Sequence, residues 1–270
     1  MFFDELYAFL GGLTAFEWFY YFWPFFIVDL ARYVLLDTGL LAYRLVGRKK
    51  RTRRRAEART ALFRERPLAS IIVPGKNEGR HLQTLVDSLE RQTFRNFELI
   101  VVDDGSDDDT PSICSRLLAD GKIQRFVRNE PRGGKASAAN TALLYATGEY
   151  VVHLDADSNL RHDAIERILL PFYTHDNVGA VGGDIRVANV TEGWATRCQA
   201  LEYFKAISIG RTASSILRLL RIVSGAYGAF PREVLQRLGG WDVGPGLDGD
   251  LTMKIRKLGY HIVHEPEAVC

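Results

Sequence analysis

Two aspartates separated by one alanine, in “HLDADSNL” (residues 153–160), follow the apolar run “EYVV”. Residues two apart in an extended chain point to the same side, so Asp155 and Asp157 present two carboxylates to one spot. Such like charges raise one another's pKa unless a cation lies between them or between one of them and a ligand. Two readings follow. One is a site for a divalent cation, Mg2+ or Mn2+, which takes oxygen ligands. The other is a solvated turn, for which Asp and Ser are ordinary residues. A second acidic group, “DDGSDD” from Asp103, closes the apolar run “ELIVV”. Lys135 in “PRGGKAS” opens a small-residue stretch. Free N–H groups at a helix start would help it meet a phosphate there; its plain alternative is a solvated lysine.

What these groups can do depends on the elements that carry them. From Leu68, short apolar runs alternate with amphipathic stretches. “LASIIVPGKNE”, “FELIVVDDGSDD”, “KIQRFVRN” and “EYVVHLDADS” read as strands. “RHLQTLVDSLERQT”, “DTPSICSRLLAD” and “GKASAANTALLYAT” read as helices, the second opened by a capping residue and a proline in its first turn. That alternation predicts a mainly parallel sheet flanked by helices, and ligands of such sheets sit beyond the carboxyl ends of the strands. Both acidic clusters fall there. Neither a G-x-x-x-x-G-K-[ST] phosphate loop nor a G-x-G-x-x-G after the first strand is present.

The 270 residues suffice for one large domain with a small appendage. A formal net charge of +2 provides no global basic field for nucleic acid. Cys114, Cys198 and Cys270 lie far apart, without zinc-ligand spacing or a disulfide framework, as suits a reducing compartment.

Residues 1–47 are expected to be a membrane-associated helical segment. The stretch from Phe16 to Gly47 is long enough to span a bilayer, with Trp18, Tyr20, Tyr21 and Trp23 suited to the interface. Asp29, Arg32, Asp37 and Arg44 interrupt it; Asp29 and Arg32 have the spacing of a helical pair. A helical hairpin on the domain, or a helix in the interface plane, is the alternative. Residues 48–66, with “RKKRTRRR”, read as a basic juxtamembrane linker that places the following domain (67–270) in the cytoplasm, against the inner membrane of the cell.

The series “SIIVPGKNE”, “ELIVVDDGSDDDT”, “RGGKASAANTAL”, “YVVHLDADS” and “DGDLTMKIRKLGY” resembles the family 2 glycosyltransferases over about residues 68–269. Within them it is similar to the membrane-bound synthases of poly-N-acetylglucosamine, hyaluronan and cellulose. The resemblance implies the α/β GT-A fold and an inverting, metal-dependent transfer from a UDP-sugar to a growing polysaccharide. It implies that Pro74 and Glu78 line the uridine and ribose, and that Asp104 contacts the uracil with Asp103 beside it. Lys135 then lies near the phosphates, and Asp155 and Asp157 form the D-x-D motif that holds a divalent metal on the diphosphate. Ser224 and Gly225, in “SGAYGAF”, fall where relatives contact the acceptor, and Asp248 matches the general base.

The sequence departs from the pattern at Leu247, where the family has glutamate before the base. Asp250 is an alternative base, or an N-cap for “LTMKIRKLG”. The Q-x-x-R-W motif and later transmembrane helices of processive members do not follow “HEPEAVC”; a longer synthase and one without the usual channel both fit. The stretch “EGWATRCQALEYFKAISIGRTASSILRLLRI” is expected to be helical, either interfacial as in relatives or an amphipathic core helix. Two further functions stay open: a non-processive transferase to a lipid or glycan primer, and a nucleotide-sugar-binding subunit without activity. A partner subunit is compatible with each.

Overall fold

The computed structural model describes residues 2–188, 190, 191, 193–242 and 246–270. They form two compact units, Met1–Arg48 and Lys49–Cys270. The first contains α1 (Phe2–Gly12) and α2 (Ala15–Leu45). A capping box opens α2: the Thr14 hydroxyl accepts from the Glu17 N–H at 3.3 Å, and Glu17 accepts from the Thr14 N–H at 2.9 Å. Phe16, Phe19, Phe25 and Leu35 along it are exposed. The expectation of a spanning helix is not met: among the described residues no helix is long and apolar enough to cross a membrane. Amphipathic Tyr and Trp, with the interrupting charges, lower its apolar character. The Asp29–Arg32 pair and Arg44 fall outside the described side chains.

The segment read as a basic juxtamembrane linker is helical, α3 (Arg48–Glu65). Its inner face buries Ala58 and Leu62, four residues apart. On that side Arg55 binds Glu265 at 2.8 Å, and Arg59 binds Glu166 at 2.7 Å. Helical periodicity thus turns part of a charge run inward.

The elements that follow are β1 (Ala69–Gly75), α4 (Gly79–Glu90), β2 (Phe97–Asp103), α5 (Thr110–Ala119), β3 (Arg125–Arg128), α6 (Lys135–Tyr145) and β4 (Tyr150–Leu154). After them come α7 (Ala164–Leu169), α8 (Pro171–Thr174), β5 (Val178–Asp184) and α9 (Trp194–Tyr203). A π-helical turn (Phe204–Ile209) leads into α10 (Gly210–Ile216), then β6 (Tyr227–Pro231), α11 (Arg232–Leu238), α12 (Leu247–Lys257) and β7 (His261–Val269).

Seven strands form one sheet in the order β3-β2-β1-β4-β6-β5-β7. The first four are parallel, β6 runs antiparallel to both neighbours, and β5 pairs parallel with β7. Alternation along the strands builds two cores. Ile71, Val73, Leu99 and Val101 face α4, α5 and α7; Ile72, Ile100 and Val102 face the alanines of α6, with Trp241 and Ile255 beyond. With β2 on one side of β1 and β4 on the other, the chain winds in opposite directions from β1. The crevice beyond the carboxyl ends of β1 and β4 is therefore the topological switch point, where open α/β sheets bind ligands.

Candidate active site

A cavity of about 210 Å³ opens at that switch point, lined by Pro74, Lys76, Glu78, Asp104, Arg132, Lys135, Asp155 and Asp157 among others. β1 delivers Pro74 at its end, and Glu78 is the residue before α4. A Cβ on Gly75 would lie 2.8 Å from the Glu78 side chain, so only glycine lets Glu78 fold back so closely. Burial raises the Glu78 carboxyl above its ordinary pKa; Asp157 and Asp155 push it the same way, against His81 and Arg80.

β2 ends in two acids with opposite fates. Asp104 accepts from the N–H groups of Gly133 and Gly134, at 3.0 and 2.7 Å, and from the Asn129 amide at 3.2 Å. Burial alone would raise its carboxyl. Those donors, with Arg132, outweigh burial and hold it below the ordinary range. Asp104 therefore ties the loop before α6, with its basic Arg132 and Lys135, to the cavity wall. Asp103 does not join the group: its buried carboxylate accepts from the Ser106 N–H at 2.9 Å and from the Ser106 hydroxyl. It builds the turn beneath the cavity.

Beyond β4, Asp155 forms an ion pair with Lys135. Its N–H donates to the Ala226 carbonyl at 3.2 Å, which extends the β4–β6 pairing and brings the segment 224–226 beside the D-x-D aspartates. Gly225 N–H in turn donates to Asp248 Oδ2 at 2.7 Å. Burial raises the Asp248 carboxyl; the Gly225 N–H, Lys135 and Arg211 oppose this, and Asp155 adds to it. The net result is a carboxyl above its ordinary pKa, the direction that suits a base working near neutrality. Asp250 lies inside the first turn of α12, its N–H donating to the Gly246 carbonyl at 2.9 Å. It is not the N-cap; that position belongs to Gly246, whose φ of 110° favours glycine. The Leu247 side chain is outside the described residues.

Among the described residues, no group of three or more His, Cys, Asp or Glu side chains is arranged to hold a metal. Of the carboxylates on the cavity, Asp104 is taken up by the N–H groups of Gly133 and Gly134, and the D-x-D pair Asp155 and Asp157, beside Glu78, offers hard oxygen donors. Mg2+ is held by one or two carboxylates and completes its shell with water and phosphate oxygens. The pair therefore fits such an ion when a diphosphate shares it. Lys76 and Arg132 were not singled out from the sequence, although each stands in a quoted motif, “VPGKNE” and “PRGGKAS”. Arg211 gave no local signal, because it lies in a stretch rich in other basic residues.

The sequence model for “Glycosyl transferase family 2” matches residues 70–239, more than half of the chain. The chain belongs to glycosyl transferase family 2. Among family 2 relatives, a poly-beta-1,6-N-acetyl-D-glucosamine synthase of Staphylococcus epidermidis is 29% identical over 202 residues, covering 74% of this chain and 48% of the relative. The chain spans about half the length of that curated relative. Among solved structures, the mannosyltransferase PcManGT from Pyrobaculum calidifontis, in complex with GDP-Man and Mn2+, superposes with a TM-score of 0.62 at 31% identity, covering 76% of this chain and 56% of that one. A glucosyl-3-phosphoglycerate synthase from Mycobacterium tuberculosis, in complex with Mn2+, UDP and glucosyl-3-phosphoglycerate, superposes at 0.54 with 26% identity, over 78% and 74% of the two chains. The family 2 assignment and these likenesses agree with the α/β GT-A fold described above.

Proposed function

We propose that this chain carries the catalytic domain of an inverting, metal-dependent glycosyltransferase that moves a sugar from a UDP-sugar to a growing polysaccharide. The observation that carries the reading is the convergence of Asp104, Lys135, Asp155 and Asp157 on one cavity, with Asp248 held beside it through Gly225. A whole-ligand pocket measures about 300–1,000 Å³, so the cavity of about 210 Å³ suits the diphosphate end of a nucleotide sugar. The Mn2+ and nucleotides bound in the two solved relatives support the same ligand class.

Transfer breaks the bond between the anomeric carbon and the diphosphate, which leaves with the bonding pair. Lys76, Arg132 and Lys135 line the cavity with positive charge that offsets it. Asp155 and Asp157 would hold a divalent metal, which would supply Lewis-acid stabilisation of the same leaving group when bound. Asp248 takes the proton of the acceptor hydroxyl as that oxygen attacks the anomeric carbon. One base and no covalent intermediate give inversion. Ser224 and Gly225 flank the base and form the near wall of the acceptor site.

The polymer is a β-linked N-acetylglucosamine chain by likeness to the staphylococcal synthases. We place the domain at the cytoplasmic face of the inner membrane, on the support of the exposed aromatic residues of α2 and the basic residues of α3.

The test is incorporation of radiolabel from UDP-GlcNAc and UDP-glucose, in parallel, by the full chain in membranes with Mg2+ or Mn2+. Metal-dependent incorporation lost in both Asp157→Ala and Asp248→Asn supports the reading, and product length separates polymer from single addition to a primer. UDP binding without incorporation in the wild type would favour a nucleotide-sugar-binding subunit instead.

A further inference from the structure

Between α10 and β6, residues 217–226 form neither helix nor strand. Backbone polar groups along such a stretch need partners outside a ladder, and several find them on one face of α12. Asp248, Thr252 and Arg256 follow one another at intervals of four, so they stack on one side of that helix. Each bonds the backbone of the stretch. Arg256 donates to the carbonyls of Arg218 and Leu220, at 3.1 and 3.3 Å. The Thr252 hydroxyl accepts from the Val223 N–H at 3.0 Å. The Asp248 carboxylate accepts from the Gly225 N–H at 2.7 Å. The helix that carries the candidate base is therefore laced to the stretch in register, and Asp248 is the last rung.

Thr252 is the middle rung, and it is fully buried. A threonine inside a helix ordinarily bonds the carbonyl four residues back, and the Thr252 hydroxyl does so, donating to the Asp248 carbonyl at 2.6 Å. Its oxygen also accepts the Val223 N–H from a separate segment, which a hydroxyl can do and a methyl cannot. One atom thus ties the backbone of the candidate base to a point two residues before the N–H that binds its carboxylate. That point is pinned. Val223 is buried, and a Cβ on Gly228 of β6 would lie 2.7 Å from its Cγ1. From there the chain reaches Gly225 and then Ala226, whose carbonyl accepts from the Asp155 N–H at 3.2 Å. The stretch therefore links the candidate base to the D-x-D turn.

We propose that Thr252 is a positioning residue of the transfer reaction, holding the Val223–Gly225 backbone so that the Gly225 N–H meets the Asp248 carboxylate. The inference rests on the reading of Asp248 as the base. Its effect falls on turnover: no residue of the laced face or of the stretch lines the donor cavity, so donor affinity stays with the cavity residues.

The experiment compares the full chain in detergent micelles as wild type, Thr252→Val, Thr252→Ser and Asp248→Asn. Three readouts are used: initial rates with UDP-GlcNAc, calorimetric UDP binding in Mn2+, and amide hydrogen exchange over 219–227. Thr252→Val keeps the shape and removes the oxygen. It is expected to lower kcat about tenfold, equivalent to about 1.4 kcal/mol. The donor KM and UDP affinity should stay within about twofold of wild type. Exchange at Val223 and Gly225 should quicken by about tenfold, while β1 and α6 keep their protection. Thr252→Ser retains the hydroxyl and should restore both rate and protection. A purely structural threonine would instead loosen the sheet as a whole and weaken UDP binding in step with the rate.

Wild-type kcat in folded Thr252→Val overturns the inference, as does unchanged exchange at Val223 and Gly225, or a Thr252→Ser protein no better than Thr252→Val. If circular dichroism shows Thr252→Val unfolded, Thr252→Cys decides by the same readouts, because a thiol is of similar size and only a weak acceptor. Amide exchange needs no turnover, so the two readings fail differently. Activity retained in Asp248→Asn removes the base assignment and this proposal with it, whereas unchanged exchange in Thr252→Val overturns the role of Thr252 alone.

Discussion

Gly225→Ala adds a single methyl group beside the candidate base, and the structure allows its effect to be worked out. The Gly225 backbone is outside the left-handed region, so alanine brings no conformational strain. Its Cβ would lie 2.5 Å from Asp248 Oδ1, 2.9 Å from Oδ2 and 3.0 Å from Cγ. Ordinary contact begins near 3.4 Å, so the carboxylate must retreat by 0.9 Å from the 2.5 Å approach. Retreat also stretches the 2.7 Å hydrogen bond from the Gly225 N–H. A hydrogen bond to a charged group contributes about 1.5–3 kcal/mol, and a misplacement of about 1 Å costs roughly 100-fold in rate. The two estimates agree on a loss of about two orders of magnitude. Donor binding should be spared, because neither Gly225 nor Asp248 lines the donor cavity. The assay pairs initial rates at saturating donor with calorimetric UDP binding in Mn2+. Wild-type turnover in a folded Gly225→Ala protein would falsify the assignment of Asp248 as base in this geometry. A matching loss of UDP affinity would refute the separation of donor and acceptor halves.

Three further outcomes follow from the same structure. Asp157→Ala should abolish the tightening of UDP binding by Mn2+ while leaving the metal-free affinity nearly unchanged, as calorimetry with and without the metal would reveal. Arg55→Met should loosen α3, because it leaves Glu265, whose side chain is 8% exposed, without its guanidinium. With Arg55 itself 34% exposed, we discount the cost to about 2 kcal/mol; urea melts and amide exchange along α3 would measure it, and unchanged exchange there would refute the anchoring. Acid should release the loop 129–134. Asp104 has a depressed carboxyl pKa in the fold, so its contribution is complete above the ordinary value of 3.8 and is lost as pH falls through the lower folded value. Asp104→Asn should flatten that acid-side loss, and an unchanged pH profile of stability would show that the loop is held by other contacts.

The first half of the sheet was legible because parallel strands buried on both faces read as unbroken apolar runs. β1, β2 and β4 each end in a turn carrying the chemistry, so the motifs marked the ends of their own strands. The second half carries no such pattern. β5 reads “VGAVGGD”, and its glycines are required by neighbours remote in sequence: a Cβ on Gly183 would run into the Tyr227 ring, and one on Gly179 into Ile255 and Tyr260. Glycine lowers strand propensity, so close packing against β6 and α12 erased the local signal of the strand itself. The segment 48–66 shows a related limit. Its charge read as a basic juxtamembrane linker, and its helical packing did not show: Arg55 and Arg59 stand four apart on the face that also buries Ala58 and Leu62. The spacing was available; the acids that receive those arginines, 210 and 107 residues away, were not.

The candidate site divides along the same line. Asp155 and Asp157 do not sit on extended chain as their spacing suggested: β4 ends at Leu154 and the turn at Ala156–Asp157, closed by the Ser158 N–H on the Asp155 carbonyl at 3.1 Å, brings both to the cavity. By strand alternation Asp103 and Asp104, adjacent at the end of β2, must diverge, and the structure shows one under the turn and the other on the cavity. That distinction was open to sequence reasoning. The environment of Asp248 was not. Its proton affinity is set first by burial, then by Gly225 from the turn before β6, Lys135 from α6, Asp155 just beyond β4 and Arg211 from α10, parts of the chain remote from one another in sequence. A motif can name a base; whether that base is charged is decided by residues the motif does not contain. The donor half of this site is built from short segments at the ends of consecutive strands, and its chemistry can be read locally. The acceptor half is assembled across the sheet, and for that reason a substitution far from “DGD” in sequence, at Gly225, is the one expected to govern the rate.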